Sequence, residues 1–120
     1  MKKSKDVVIC ASNAYNEKYY FNPLFEKIPE SIKKELNIIC VLFTEEVGGI
    51  FSIGFDSEGE LKFMTQAADE DYLYDEIAAG LLVSKIRATR QEMLESLELF
   101  YRALILKEDI SDLLDEDENK

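Results

Sequence analysis

Residues 37–66 read NIICVLFTEEVGGIFSIGFDSEGELKFMTQ, and the reading of this stretch decides the fold. The spacing predicts three consecutive antiparallel strands. Gly48-Gly49 stands between apolar runs, and a two-residue glycine loop suits a hairpin because both central positions adopt φ > 0 without steric cost. Asp56-Ser57-Glu58-Gly59 predicts the second turn, with Gly59 at the left-handed position of a three-residue loop. These turns set the register: Val47 opposite Ile50, Leu42 opposite Phe55, Phe55 opposite Leu61, and Ile53 opposite Phe63. One face then collects Ile38, Cys40, Leu42, Phe51, Ile53, Phe55, Leu61 and Phe63. Each large apolar side chain buried there contributes roughly 1.5–3 kcal/mol before entropy. The other face carries Ser52, Gly54, Lys62, Met64 and Gln66, with Phe43 laid over Gly54.

Upstream, Asp6 to Ser12 (DVVICAS) predicts a fourth strand, apolar on both sides and therefore inside the sheet or covered. Asn13 to Asn22 (NAYNEKYYFN) is rich in asparagine and tyrosine, which predicts a loop or short hairpin. Asn22-Pro23 reads as an N-cap followed by proline at the first helical position, opening a turn at Leu24 to Lys27. Pro29 restarts a helix to Leu36, amphipathic on Ile28, Ile32 and Leu36.

Downstream of Gln66 the alternation stops. Asp69, Glu70, Asp71, Asp75 and Glu76 mark a helix N-terminus, where carboxylates oppose the positive end of the helix dipole. From Tyr72 to Leu106 the apolar period is helical. A single helix of that length would run about 50 Å, against a diameter of roughly 35 Å for a compact chain of this size. A break is expected at Arg87 to Gln91, with Thr89 and Glu92 as a capping box. Met93 to Leu106 is apolar around most of its circumference. That predicts self-association through Leu99, Tyr101, Ile105 and Leu106, side chains that one sheet face does not cover. The fold class is α+β: an antiparallel sheet, a three-stranded meander plus an N-terminal strand, covered on one face by a long C-terminal helix or helices. Residues 1–120 form a single domain, with 1–5 and 107–120 as mobile tails.

A net charge of −11 over 120 residues disfavours nucleic acid and anionic membranes as partners and leaves a basic protein partner open. Cys10 and Cys40 sit in apolar runs and read as buried, reduced thiols. There is no histidine, so the commonest general base and metal ligand are missing. The acidic cluster lacks the spacing of a calcium loop, and neither metal nor cofactor is expected. Val7 to Ala11 is too short for a signal-peptide core, and no run approaches the roughly 18 apolar residues of a membrane span, so the reading is cytoplasmic. Glu45 and Glu46, adjacent on a strand, would face opposite ways and could not act together. The one segment with the makings of a site is the aromatic stretch, with Asn13, Tyr15, Lys18, Tyr19 and Tyr20 as candidate binding residues. The plain alternative is an aromatic loop closing over the sheet edge.

The stretches CASNAYNEKYYFNPLF and ELNIICVLFTEEVGGIF, followed by the long helical end, resemble a family of small acidic proteins of anaerobic Gram-positive bacteria, catalogued as a domain of unknown function. The resemblance spans Val7 to Leu106. It implies no activity and carries no catalytic residues; it favours a cytoplasmic non-enzyme. Three functions remain open: a non-catalytic protein-interaction module, possibly homodimeric; a small-molecule or enzymatic site around Asn13 to Tyr20; and a secretion-chaperone-like dimer. A concave pocket lined by the aromatic stretch would favour the site. An apolar patch on the helices would favour the module.

Overall fold

The structure is a computed structural model that describes residues 6–106, with side chains described through Ala103. The tails expected at 1–5 and 107–120 lie outside the described residues, as do the side chains of Ile105 and Leu106. The elements run β1 (Val7–Asn13), β2 (Lys18–Phe21), a 3-10 turn (Pro23–Phe25), α1 (Glu30–Val47), β3 (Ile50–Phe55), β4 (Leu61–Gln66), α2 (Glu76–Thr89) and α3 (Gln91–Phe100). A π-helical stretch, Tyr101–Leu106, follows. The fold is α+β. The sheet is antiparallel with strand order β2-β1-β3-β4, so the first strand is central.

Two parts of the expected meander hold. Phe55 pairs with Leu61 and Ile53 with Phe63. The turn between them closes as its residue types dictate. Asp56 Oδ1 accepts from the amides of Glu58 (2.9 Å) and Glu60 (3.0 Å), and Gly59 takes φ 85°. Those amide donors, that of Glu60 foremost, hold the Asp56 carboxyl below the usual carboxylate range.

The third meander strand is a helix. Residues 37–47, expected to pair with β3, are the C-terminal two-thirds of α1. Leu36, Ile39, Cys40, Phe43 and Thr44 are buried at steps of three and four, while Ile38 and Leu42, placed inward by the strand reading, are exposed. The helix begun at Pro29 therefore runs on past Leu36. Gly48 and Gly49 do take positive φ, 91° and 72°, but they end a helix rather than turn a hairpin. The Gly48 amide donates to the Thr44 carbonyl at 2.8 Å, satisfying one of the carbonyls a helix end leaves unpaired. Gly49 has no room for a side chain: a Cβ there would lie 2.5 Å from the Gln66 carbonyl oxygen and 2.7 Å from the Tyr74 ring. Phe43, expected over Gly54, stacks on Phe51 in the core instead, with ring centroids 4.1 Å apart. The side chain nearest Gly54 on the other face is that of Met64.

α1 crosses one face of the sheet and delivers β3 to the far side of β1. Two rungs join helix to strand. Cys10 Sγ lies 3.6 Å from Cys40 Sγ, and Ser12 Oγ lies 2.8 Å from Thr44 Oγ1. Four helical residues rise about 6 Å and two strand residues about 6.8 Å, so the pairs stay nearly in step. β1 also carries a bulge between Val8 and Cys10 that lets Ile9 and Cys10 both be fully buried. Both cysteines are free and buried.

The helical C-terminal half breaks at Arg90, inside the expected window. The capping box does not form. Thr89 Oγ1 donates back to the Lys85 carbonyl at 2.9 Å, and α3 begins without a side-chain cap. An ion pair between Arg90 Nη1 and Glu35 Oε1, 2.6 Å, ties the break to α1. Tyr101, expected on a free apolar surface, is only 2 % exposed and stacks on Phe55 at 4.2 Å within its own chain. The C-terminal segment thus finds an intrachain partner in the 3-10 turn and β3, where Phe25 completes the aromatic stack. No described helix is long and apolar enough to cross a membrane.

Candidate functional site

Two regions stand out from this frame. The first is the entrance to α2. Asp75 caps the helix, its Oδ1 accepting from the amides of Ile77 and Ala78, both at 3.0 Å. Leu73 stands in the turn before the cap, and Ile77 and Leu81, four residues apart, share one face of α2. They are 93 %, 76 % and 68 % exposed, and Tyr72 is 89 % exposed. Around them stand Asp69, Glu70, Asp71, Asp75 and Glu76, none of which makes an ion pair among the described residues. The buried side of α2 is narrow, Ala79 and Ile86, with Leu82 and Val83 partly packed.

The second region is the β1–β2 hairpin tip, which holds the sequence-predicted residues. Asn13 Oδ1 accepts from the amides of Tyr15 (2.8 Å) and Asn16 (3.4 Å), shaping the tip as an Asx turn. Glu17 takes φ 55°, the one non-glycine residue at positive φ among those described. A cavity of ≈ 490 Å³ opens between this tip and α1, and Asn13, Lys18 and Tyr19 line it. Ser12, Val41, Thr44 and Glu45 complete its floor and far wall, with Glu17 at the tip. Tyr15 and Tyr20 are not in it. Tyr15 reaches the α2 entrance instead: its hydroxyl donates to Asp71 Oδ2 at 2.6 Å and accepts from the Ala68 amide at 2.9 Å. The bond to Asp71 raises the Tyr15 hydroxyl above its ordinary pKa. Tyr20 pairs with Ala11 and is half exposed.

Tyr19 turns its hydroxyl into the protein interior, where desolvation first and the neighbouring Cys10 and Cys40 next raise its pKa strongly. The Cys40 thiol is also pushed far up, by its contact with Cys10 and by burial. A raised thiol is a poor nucleophile, because the thiolate is the reactive form. Both cysteine side chains are fully buried, and the pair reads as packing. Among the described residues no three histidine, cysteine, aspartate or glutamate side chains gather as a metal site.

Sequence reasoning missed Val41, Thr44 and Glu45, because a strand would have sent them elsewhere. On a helix Glu45 sits one turn after Val41 and reaches the cavity.

The profile of a family of unknown function, DUF6145, matches residues 6–109. The chain belongs to that family. No curated protein and no solved structure matches the chain. The family description assigns no activity, so the roles of these two regions rest on the chain's own geometry.

Proposed function

We infer that this protein is a non-catalytic, cytoplasmic module that binds another protein through the α2 entrance. The observation that supports the reading is the run of exposed Tyr72, Leu73, Ile77 and Leu81. Large apolar side chains gathered at one place on a surface mark binding more often than isolated ones do. The carboxylates at 69, 70, 71, 75 and 76 set the partner's chemistry. A twofold contact through this face would bring acid against acid, whereas a segment bearing lysine or arginine between apolar residues would meet both features.

The test is titration of the purified chain with a synthetic amphipathic Leu/Lys helical peptide, followed by amide chemical shifts. Shifts confined to residues 69–81 that weaken with salt are expected, together with their loss in the L73S/I77S variant. A Leu/Glu peptide that binds equally well, or a variant that binds like the parent, would refute the reading.

Self-association through the C-terminal segment is the second reading. Leu99, 61 % exposed on α3, favours it. Light scattering that returns 13.8 kDa at micromolar concentration would exclude it.

A further inference from the structure

The edge of the sheet at β4 carries an inference that stands apart from the exposed residues of the α2 entrance. The strand order gives β4 a neighbour on one side only. Two bonds fix which of its backbone groups point outward. The Asp56 amide donates to the Glu60 carbonyl at 2.9 Å, which makes that pair a hydrogen-bonded rung. Such rungs alternate along an antiparallel pair, so Leu61, Phe63 and Thr65 turn their amides and carbonyls away from β3. The Leu61 amide agrees, donating at 2.8 Å to Glu98 Oε2 of α3. Among the described residues nothing closes the corresponding amides and carbonyls of Phe63 and Thr65. Sheet edges are ordinarily blunted by shortness, bulges, proline or free lysine. β2, the opposite edge, is four residues long. β4 has six residues, regular pairing with β3 and no proline, and its Lys62 is paired with Asp56 and Glu60.

Beside this edge lies a cavity of ≈ 620 Å³ between β4 and α2. Phe63 and Thr65 line it and Lys62 and Met64 do not, so it sits on the α2 side of the strand. α2 meets it with Ala79, Gly80 and Val83. A Cβ on Gly80 would touch nothing within 4 Å. Asp69, Asp71 and Glu76, which follow β4 in the chain, also line the cavity.

We propose that β4 accepts an extended segment of a partner protein as a fifth, antiparallel strand, with alternate apolar side chains of that segment in the cavity beside α2. The antiparallel direction continues the rest of the sheet. Residues directly opposite one another in such a rung exchange both backbone bonds and share a face. The residues that bond to Phe63 and Thr65 therefore also turn their side chains to the α2 side, where the small residues of α2 suit branched apolar groups. The next residue of the same parity, on the segment's N-terminal side, runs toward the carboxylates and suits lysine or arginine. A helical segment could not make these bonds, because its amides are spent within the helix. A second copy of β4 laid antiparallel would bring Glu58 and Glu60 toward Asp69 and Asp71, acid against acid.

The experiment uses the full chain with the peptide acetyl-Lys-Thr-Val-Thr-Val-Thr-amide at up to about 1 mM, followed by amide chemical shifts and hydrogen exchange. Exchange at the Phe63 and Thr65 amides should slow when the peptide is present. N-methylation of the two valines should weaken binding at least about tenfold, the loss expected when backbone bonds are removed, whereas N-methylation of the threonines should leave it unchanged. Thr65→Pro removes one outward amide and no bond to β3, so it should keep the parent's fold and weaken the peptide by a similar factor. L73S/I77S should bind this peptide like the parent, which separates the edge from the α2 entrance. Equal effects of the two methylation patterns, or Phe63 and Thr65 amides that the peptide leaves unprotected, would overturn the proposal. So would loss of binding in L73S/I77S, which places the peptide on the α2 entrance. Protection that rises with protein concentration alone assigns the edge to a second copy and also overturns it. Should Thr65→Pro unfold, the methylated peptides make the same comparison on the parent chain.

Discussion

Ser12 Oγ and Thr44 Oγ1 meet at 2.8 Å between the central strand and the helix that crosses it, and both are buried. Removing one hydroxyl strands the other away from water, which costs about 1–3 kcal/mol, whereas removing both is nearly neutral. Thr44→Val, close in shape, should therefore destabilise the fold by that amount in urea unfolding. The double variant S12A/T44V should recover much of the loss. A double variant that loses the sum of the two single changes would show that the hydroxyls do not act as a pair.

Gly48 and Gly49 should respond differently to substitution. Both have positive φ, but an alanine Cβ at Gly48 meets nothing within 4 Å, while at Gly49 it collides with the Gln66 carbonyl and the Tyr74 ring. Gly48→Ala should cost about 1–3 kcal/mol from backbone strain alone, because φ 91° with ψ −167° is a conformation that essentially only glycine adopts. Gly49→Ala should cost about 3 kcal/mol or more, because backbone must move as well. Equal midpoints for the two variants would contradict this geometry.

Alkaline pH should weaken the protein. The folded-state pKa values of Cys40 and Tyr19 are raised above their ordinary 9.0 and 10.0. Their contribution is complete below pH 9. Above it the unfolded chain releases a proton that the folded chain keeps, and stability falls as pH rises. One retained proton corresponds to about 1.4 kcal/mol per pH unit. Urea midpoints measured from pH 7 to 10 should drop beyond pH 9, and Cys40→Ala should reduce the slope. The same burial predicts slow labelling of both thiols in the native state and fast labelling in denaturant. A flat midpoint through pH 10 would contradict the assignment.

Tyr15→Phe removes the bridge from the hairpin tip to the α2 entrance while leaving the ring. The site is exposed, so the melting temperature should barely move. Hydrogen exchange at the Ala68 amide should accelerate, because its acceptor is the Tyr15 hydroxyl. Unchanged exchange at Ala68 would mean that the bridge does not persist in solution.

The hairpin β3–β4 was readable because two signals agree: an alternation that puts Phe51, Ile53, Phe55, Leu61 and Phe63 on one face, and a turn whose Asp56 and Gly59 have fixed jobs. The residues before Gly48 were not readable by the same logic. Ile38 to Phe43 is continuously apolar, so a period of two and a period of 3.6 fit it equally. The glycine pair ends a helix as well as it turns a hairpin. The better signal was continuity, since no breaker separates the helix begun at Pro29 from Val47. That misreading also hid half of the cavity, whose far wall is α1. The residues of the near wall were legible only as an odd composition, and nothing in the sequence sends Tyr15 to Asp71 rather than into the cavity. The exposure of Ile77 and Leu81 on α2 was invisible for a different reason: periodicity locates a stripe on a helix but does not say whether anything covers it.

The strand order has a consequence in time. β1 is made first, yet it is the middle of the sheet, and its second neighbour arrives only after α1, when Val7 meets Phe55 and Asn13 meets Ile50. During synthesis the β1–β2 hairpin must wait with one ladder open and its apolar side uncovered. Closing that long loop is the entropic hurdle, and contacts of such separation slow folding. The nascent chain therefore passes through an interval in which a bare strand edge is offered to any other chain nearby, and that interval ends when β3 has left the ribosome.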